Sequence, residues 1–344
     1  MLRCGGYTRA MNRLFRDAAG PNLAPGGSVV CVGAFDGVHR GHRALLARVR
    51  ERADALALAP LAITFEPIPR EFFARGAPVP RLTGAREKLE LLFDAGTSTL
   101  LSLRFDEKLA SMPAEAFIDE ILVVRAGVHE LWVGADFRFG HARRGDVDML
   151  REFGARRGFS VEVMPEVRAG GARASSSAIR AQLAAGEFDA AVLGLGRCFS
   201  IGGHVVRGQQ LGRQLGYPTA NIRLGRRTSP VMGIFAVRVH GVEAQAMPGV
   251  ASLGVRPTIK GNGESLLEAH LFDFDGDLYG RRIEVEFVAK LRDELKFDSL
   301  DAMVRQIDRD AEQARAILVA SRPDDQWSAG LPADGGRACA SGLP

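Results

Sequence analysis

The stretch Val29-Val30-Cys31-Val32-Gly33-Ala34-Phe35-Asp36-Gly37-Val38-His39-Arg40-Gly41-His42 decides the fold. It opens on an apolar, β-branched run of the kind a fully buried strand requires. Beyond Gly41, the residues Ala44, Leu45, Leu46, Val49, Ala53 and Leu56 recur at helical spacing. Between strand and helix lies a glycine-rich turn, with His39 and His42 three residues apart at the helix entrance. Unpaired N–H groups at a helix N-terminus attract anions, and glycines let a phosphate come close to the backbone. Two imidazoles on one face would add donors for a polyphosphate. The string reads as a nucleotide-phosphate site of the H-x-G-H kind, distinct from both the Walker loop and the dinucleotide fingerprint. A capped surface pair would give the same H-x-x-H spacing. Zinc would need further ligands, and no H-E-x-x-H or paired Cys lies nearby.

Outward from this turn, strand and helix patterns alternate. Strands are expected at 28–33, 61–65, 99–105, 130–135 and 160–164, and helices at 41–58, 84–95, 113–125 and 146–157. That is a doubly wound, Rossmann-like α/β domain, and such folds bind ligands beyond the carboxyl ends of their strands. Ser175-Ser176-Ser177 opens another helix, Gly186 stops it, and a second short helix runs to about Leu193. Past Gly194-Leu195-Gly196 the regime changes. Short β-rich runs at 203–207, 234–239, 248–254, 266–273 and 282–288, separated by Gly, Pro and Asn-Gly turns, predict a small antiparallel β-barrel. A final amphipathic helix begins near Ser299. The expected organisation is a loose lead-in over 1–27, the α/β domain over 28–194, the barrel with its helix over 195–322, and a Gly-, Ala- and Pro-rich disordered tail over 323–344.

At 344 residues the chain has room for two cores, and its net charge of +4 is small for this length and points to no particular polyanionic partner. Scattered arginine pairs without interleaved aromatics give no nucleic-acid signature. No apolar run reaches membrane-spanning length. The four cysteines are far apart, as expected of reduced thiols in a cytoplasmic protein. Oligomeric state is not legible.

Further strings sharpen the reading. Thr64-Phe65-Glu66-Pro67-Ile68-Pro69 follows the second strand, and Gly134-Ala135-Asp136-Phe137-Arg138-Phe139-Gly140 ends another. In the second domain, Gly202-Gly203-His204-Val205-Val206-Arg207-Gly208 through Gly212 forms a Gly-spaced flap, followed by Pro218-Thr219-Ala220-Asn221. Thr219 and Asn221 lie two apart, so in an extended segment their side chains share a face and could hold Mg²⁺ and phosphate together. An Asx turn would explain the bare string equally well. Gly254-Val255-Arg256-Pro257-Thr258, Leu267-Glu268-Ala269-His270-Leu271-Phe272-Asp273-Phe274, Asp277-Leu278-Tyr279-Gly280 and Leu291-Arg292-Asp293-Glu294 then follow in order.

Together these motifs resemble the bacterial bifunctional riboflavin kinase/FAD synthetase family, over roughly residues 28 to 320. The resemblance implies that the barrel phosphorylates riboflavin with ATP and that the α/β domain adenylylates FMN to FAD, both with Mg²⁺. It implies His39, His42 and Arg180 as stabilisers of the transferring phosphates, with Gly33, Phe35, Asp36, Gly37, Gly41, Ser176 and Ser177 around the nucleotide. Phe73, Asp136 and Phe139 are the implied flavin contacts of that domain. In the barrel it implies Glu268 as the base that takes the riboflavin hydroxyl proton. Gly208, Gly212, Thr219 and Asn221 would hold ATP and Mg²⁺, and Arg292 and Glu294 would seat flavin. Ala34 stands where the family usually has Asn, Cys31 where it often has Thr, and Ile68 where it often has a polar residue. Two alternatives stay open: a kinase whose first domain no longer adenylylates, and a non-catalytic flavin-binding regulatory module.

Overall fold

The computed structural model describes residues 12–74, 79–208, 212, 215–225, 227–256 and 264–321. Its first half is a parallel sheet of β1 (Arg13–Phe15), β2 (Ser28–Val32), β3 (Ala59–Glu66), β4 (Thr99–Arg104), β5 (Val128–Gly134) and β6 (Ser160–Met164), in spatial order β1-β4-β3-β2-β5-β6. Strand β2 lies between β3 and β5 with every residue buried. Alternate residues serve opposite faces. Val29 and Cys31 pack with Leu45, Leu46 and Val49 of α1 (Arg40–Leu56), whereas Val30 and Val32 pack with Phe117, Ile118 and Ile121. Helices therefore cover both faces of the sheet, which is why the strand is almost wholly apolar.

In this half, two segments differ most from the sequence pattern. Residues 13–15, expected as part of a loose lead-in, pair in parallel with Thr99–Leu101 and extend the sheet by one strand. Three residues are too few to show a period of two. What holds them is tertiary: the Arg125 guanidinium lies 5.6 Å from the centre of the Phe15 ring, and its Nε donates to the Asp17 carbonyl at 3.1 Å. The helix expected over 113–125 is a short α-turn, α5 (Ala114–Ala116), running into a π-helix, Phe117–Arg125. Its wider turn buries Phe117, Ile118, Ile121, Leu122 and Arg125 together against the sheet. The remaining helices of this half are α2 (Pro69–Phe73), α3 (Ala85–Asp94), α4 (Glu107–Ala110) and α6 (Val147–Arg157).

After a two-stranded hairpin, β7 (Arg168–Ala169) and β8 (Ala172–Arg173), come α7 (Ser176–Ala185) and α8 (Phe188–Leu195). The second half is a closed antiparallel barrel of β9 (Ser200–Val206), β10 (Ala220–Arg223), β11 (Gly233–His240), β12 (Met247–Arg256), β13 (Glu264–Leu271) and β14 (Arg282–Arg292), ordered β10-β13-β12-β11-β14-β9. Strand β10, four residues long, is the one the β-rich pattern did not mark. Helix α9 (Leu300–Ala320) seats Ala314 against Ala236, Val250 and Phe272 on the barrel's outer surface. The tail expected over 323–344 and most of the flap after Gly208 lie outside the described residues.

The two halves share a core. The barrel interior, including Val205, Ile222, Phe235, Leu253, Leu267 and Phe287, is continuous with Ile179 and Leu183 of α7, Phe188, Ala191 and Leu195 of α8, and Leu82. The α7–α8 pair is thus packed from the barrel side while its N-terminus reaches the H-x-G-H turn.

Candidate active sites

The turn after β2 is strongly bent. Phe35, Gly37 and Val38 all have positive φ, at 50°, 86° and 39°. For a β-branched residue such as Val38 this is a strained conformation, of the sort that persists only where the surroundings over-determine it. They do. The Asp36 carboxylate, 1% exposed, accepts from the Leu82 and Thr83 backbone N–H groups at 3.1 Å each. Arg180 Nη2 reaches the same carboxylate at 2.5 Å while its Nε donates to the Pro80 carbonyl at 2.8 Å. The Ser176 hydroxyl donates to the Asp36 carbonyl at 2.8 Å, and the Gly37 N–H donates to Thr83 Oγ1 at 3.1 Å. Gly33 leaves room for the Phe35 ring, which a Cβ at position 33 would meet at 3.3 Å.

His39 and His42 emerge from this frame at the start of α1. His39 is the N-cap: its Nδ1 accepts from the His42 N–H at 3.4 Å. The two rings stack with centroids 3.7 Å apart, and Phe35 lies edge-on to His42 at 5.1 Å. Burial pushes His39 down to about 4; Asp36 opposes this, while the charges of Arg197, Arg173 and Arg180 reinforce it. His42 is lowered by burial and by His39. Both rings are neutral at pH 7. Because Nδ1 of His39 is an acceptor, its proton sits on Nε2, which is left as a donor.

Around the turn the charges are mutually compensated. Arg81, 5% exposed, pairs with Glu66 at 3.1 Å and Glu71 at 2.7 Å, with its Nε 3.6 Å from Asp36. The Lys88 amine, fully buried, donates to the Phe65 carbonyl at 2.7 Å and lies 3.0 Å from Glu66. The Thr64-Phe65-Glu66-Pro67 string is therefore bound into the framework of the turn. Ser175 caps α7, with Ser176 and Ser177 beginning the helix. The flavin candidates of this half fall in two places. Phe73, exposed, makes ring contacts with Phe72 and Phe105, while Phe139, buried, packs on Phe117 and Phe137. Exposed Asp136 pairs with Arg173 at 2.8 Å.

On the barrel, Asn221 of β10 lies directly opposite Glu268 of β13, which in turn lies opposite Ser252 of β12. Their neighbours Ala220, Ile222, Leu267 and Ala269 point into the core, so Asn221 and Glu268 share the outer face. The Asn221 amide donates to the Thr219 carbonyl at 3.0 Å and to Thr219 Oγ1 at 3.3 Å, whereas its Oδ1 is buried without a hydrogen-bond partner. A Cβ at Gly208 would lie 2.5 Å from that oxygen, and one at Gly212 would lie 2.3 Å from the Tyr217 carbonyl. The glycines are there for close approach. A cavity of about 280 Å³ opens beside Thr219 and Asn221, walled by Val205, Leu271, Phe274 and Leu278. Arg292 is engaged internally, its fork on Asp310 at 2.6 to 3.0 Å, and the Glu294 carboxylate lies over Gly254.

Arg81, Thr83, Lys88 and Arg197 are site-building residues that motif reading missed. The string Arg81-Leu82-Thr83 just ahead of α3 offered a weak cue, and Arg197 offered none. Its Nη1 donates to the Gly37 carbonyl at 2.8 Å.

The architecture and both sites define a two-module nucleotide-dependent transferase. The FAD synthetase family model matches residues 22–178, and the riboflavin kinase family model matches residues 195–318. The bifunctional riboflavin kinase/FMN adenylyltransferase of Pseudomonas fluorescens is 47% identical over 302 residues, covering 87% of this chain and 96% of that protein. The protein of the same description from Escherichia coli K12 is 44% identical over 297 residues, covering 86% and 95%. A solved structure described as a macrolide-efflux protein from Streptococcus pneumoniae superposes with a TM-score of 0.73 at 28% identity, covering 89% of this chain and 99% of that one. Among the described residues of this chain, no helix is long and apolar enough to cross a membrane. The chain belongs to the bifunctional riboflavin kinase/FMN adenylyltransferase family, whose two activities produce FMN and then FAD.

Proposed function

We propose that the H-x-G-H turn and the outer face of the barrel each carry one of these activities, with the division of labour lying between residues 28–194 and 195–322. At the turn, the FMN phosphate is already ionised at neutral pH and needs no base. One of its oxygens forms the bond to the α-phosphorus of ATP while the bond to pyrophosphate breaks. What the site must supply is orientation and neutralisation of spreading negative charge. Neutral His39 and His42 supply hydrogen-bond donors, and the N-termini of α1 and α7 add backbone N–H groups. Arg180 acts through Asp36, holding the turn and lending its charge to the site.

At the barrel, riboflavin attacks with a primary alcohol, which is barely ionised at pH 7. Glu268 takes the hydroxyl proton as the oxygen bonds to the γ-phosphorus and ADP departs. The observation that carries this assignment is the register that sets Glu268 directly across from Asn221, beside Thr219. The unpartnered Oδ1 of Asn221 and the Thr219 hydroxyl are hard oxygen donors that suit Mg²⁺, with phosphate oxygens completing its coordination. Bound there, Mg²⁺ would neutralise charge on the β- and γ-phosphates. Phe73, Asp136 and Phe139 in the first module and Arg292 and Glu294 in the second are the residues assigned to flavin. Phe73, exposed, is the one free to stack. The test is a pair of variants assayed with each substrate. His42→Ala should abolish FAD formation and spare FMN formation, and Glu268→Ala should do the reverse when FMN is supplied. Equal impairment of both steps by either variant, in folded protein, would overturn the assignment.

A further inference from the structure

Arg197 lies in the segment matched by the riboflavin kinase model, between α8 and β9, whereas Gly37 lies in the segment matched by the FAD synthetase model. Yet the Arg197 guanidinium donates from Nη1 to the Gly37 carbonyl at 2.8 Å. Its Nη2 lies 3.8 Å from Glu87 of α3, and the side chain is 18% exposed. Gly37 is held at both ends: its N–H donates to Thr83 Oγ1, and its C=O accepts from Arg197. The peptide fixed by that carbonyl leads into Val38, at φ 39°, and then into His39, the N-cap of α1. Gly37 is closely walled in: a Cβ there would meet Leu82 at 2.7 Å and Leu195 at 3.4 Å. Leu195 is the last residue of α8, two residues before Arg197. The last turn of α8 and the start of the barrel module therefore form one wall of the H-x-G-H turn.

We propose that Arg197 is a positioning residue for adenylyl transfer: by clamping the Gly37 carbonyl, it sets the strained turn that aims His39 and His42. This rests on the assignment of adenylyl transfer to that turn. Arg197 lies on neither the Thr219–Asn221 cradle nor the Glu268 face, so the kinase reaction of the same molecule is an internal control for folding.

The experiment measures steady-state FAD formation from FMN and FMN formation from riboflavin for Arg197→Met, Arg197→Lys, Thr83→Val and His42→Ala. Loss of one charge-assisted hydrogen bond in the frame should lower kcat for FAD formation by about ten- to a hundred-fold. KM for ATP and for FMN should stay within about two-fold, because the clamp sets the aim of the two imidazoles at charge that spreads in the transition state and does not itself touch either substrate. The kinase rate should be unchanged, and Arg197→Lys, which keeps the charge and one donor, should recover part of the loss. Thr83→Val frees the N–H of the same residue, along with the Thr83 hydroxyl's bond to Asp36, and should show the same kcat-selective defect, which keeps the test decisive should Arg197→Met fold poorly. Unchanged FAD formation in Arg197→Met, or proportional loss of both activities in Arg197→Met and Thr83→Val alike, overturns the proposal. If His42→Ala itself retains FAD formation, the assignment of the turn fails instead, so the two failures are distinguishable.

Discussion

Acid should weaken the first module through His39, by an amount the structure sets. The folded imidazole is 6% exposed and pushed down to about 4, chiefly by burial. In the unfolded chain it titrates at about 6.5. Between these values the unfolded state binds the proton and the folded state does not, so stability falls as pH drops. At pH 7 the difference is small. Integrating from pH 7 to pH 5 gives a loss of about 2 kcal/mol from this one residue, and the remainder is lost as pH falls through the folded value. His42, also lowered, acts in the same direction. The clean perturbation is His39→Asn, because Asn is a good N-cap and its side-chain oxygen can accept from the same N–H of residue 42. The chain has two tryptophans, of which Trp132 lies on β5. Urea unfolding followed by its fluorescence, in a Trp327→Phe background, therefore reports on this module. The pH 7 to pH 5 loss in His39→Asn should be smaller than in the parent by about 2 kcal/mol. Identical pH dependence in the two proteins would refute the claim that His39 is buried neutral.

Asp36→Asn keeps the shape of the turn but removes the counter-charge facing Arg180 and Arg81. It should cost about 3 kcal/mol of stability in the first module and most of its FAD formation, with FMN formation spared, as read by urea unfolding and by the two activity assays. Gly208→Ala puts a methyl 2.5 Å from Asn221 Oδ1. It should lower FMN formation by at least about ten-fold at fixed ATP and Mg²⁺ while leaving FAD formation from supplied FMN unaltered. A Gly208→Ala protein with normal kinase kinetics would show that this oxygen does not face the nucleotide.

Legibility in the sequence followed local geometry. Strand β2 and helix α1 could be read because a buried β-branched run and a 3.6-residue stripe are strong periodic signals. Asn221 and Glu268 were singled out separately on their motifs, and the register then set them side by side. The six-stranded barrel was legible as a barrel, but β10 was not, since Ala220-Asn221-Ile222-Arg223 alternates apolar and polar over too short a run to stand out after Pro218-Thr219. The π-helix at Phe117–Arg125 reads as an ordinary helix, because its burial pattern differs from a 3.6-residue period by less than a nine-residue segment can show. In the first site, Asp36 and Arg180 are distinctive residues, yet their part is mutual. Each satisfies the other beneath the turn, a contact across 144 residues that no motif spacing reveals. Arg197 and Thr83 escaped for the same reason, as their importance lies in one carbonyl and one N–H of Gly37.

The central claim is that two separate sets of residues perform the two steps. Its most direct test is complementation between His42→Ala and Glu268→Gln, each stripped of flavin and supplied with riboflavin, ATP and Mg²⁺, with the products separated over time. His42→Ala alone should stop at FMN, and Glu268→Gln alone should leave riboflavin unconverted. An equal mixture should make FAD, as FMN released by one protein is adenylylated by the other. FAD formed from riboflavin by either variant alone, or no FAD from Glu268→Gln even when FMN is supplied, would contradict the account.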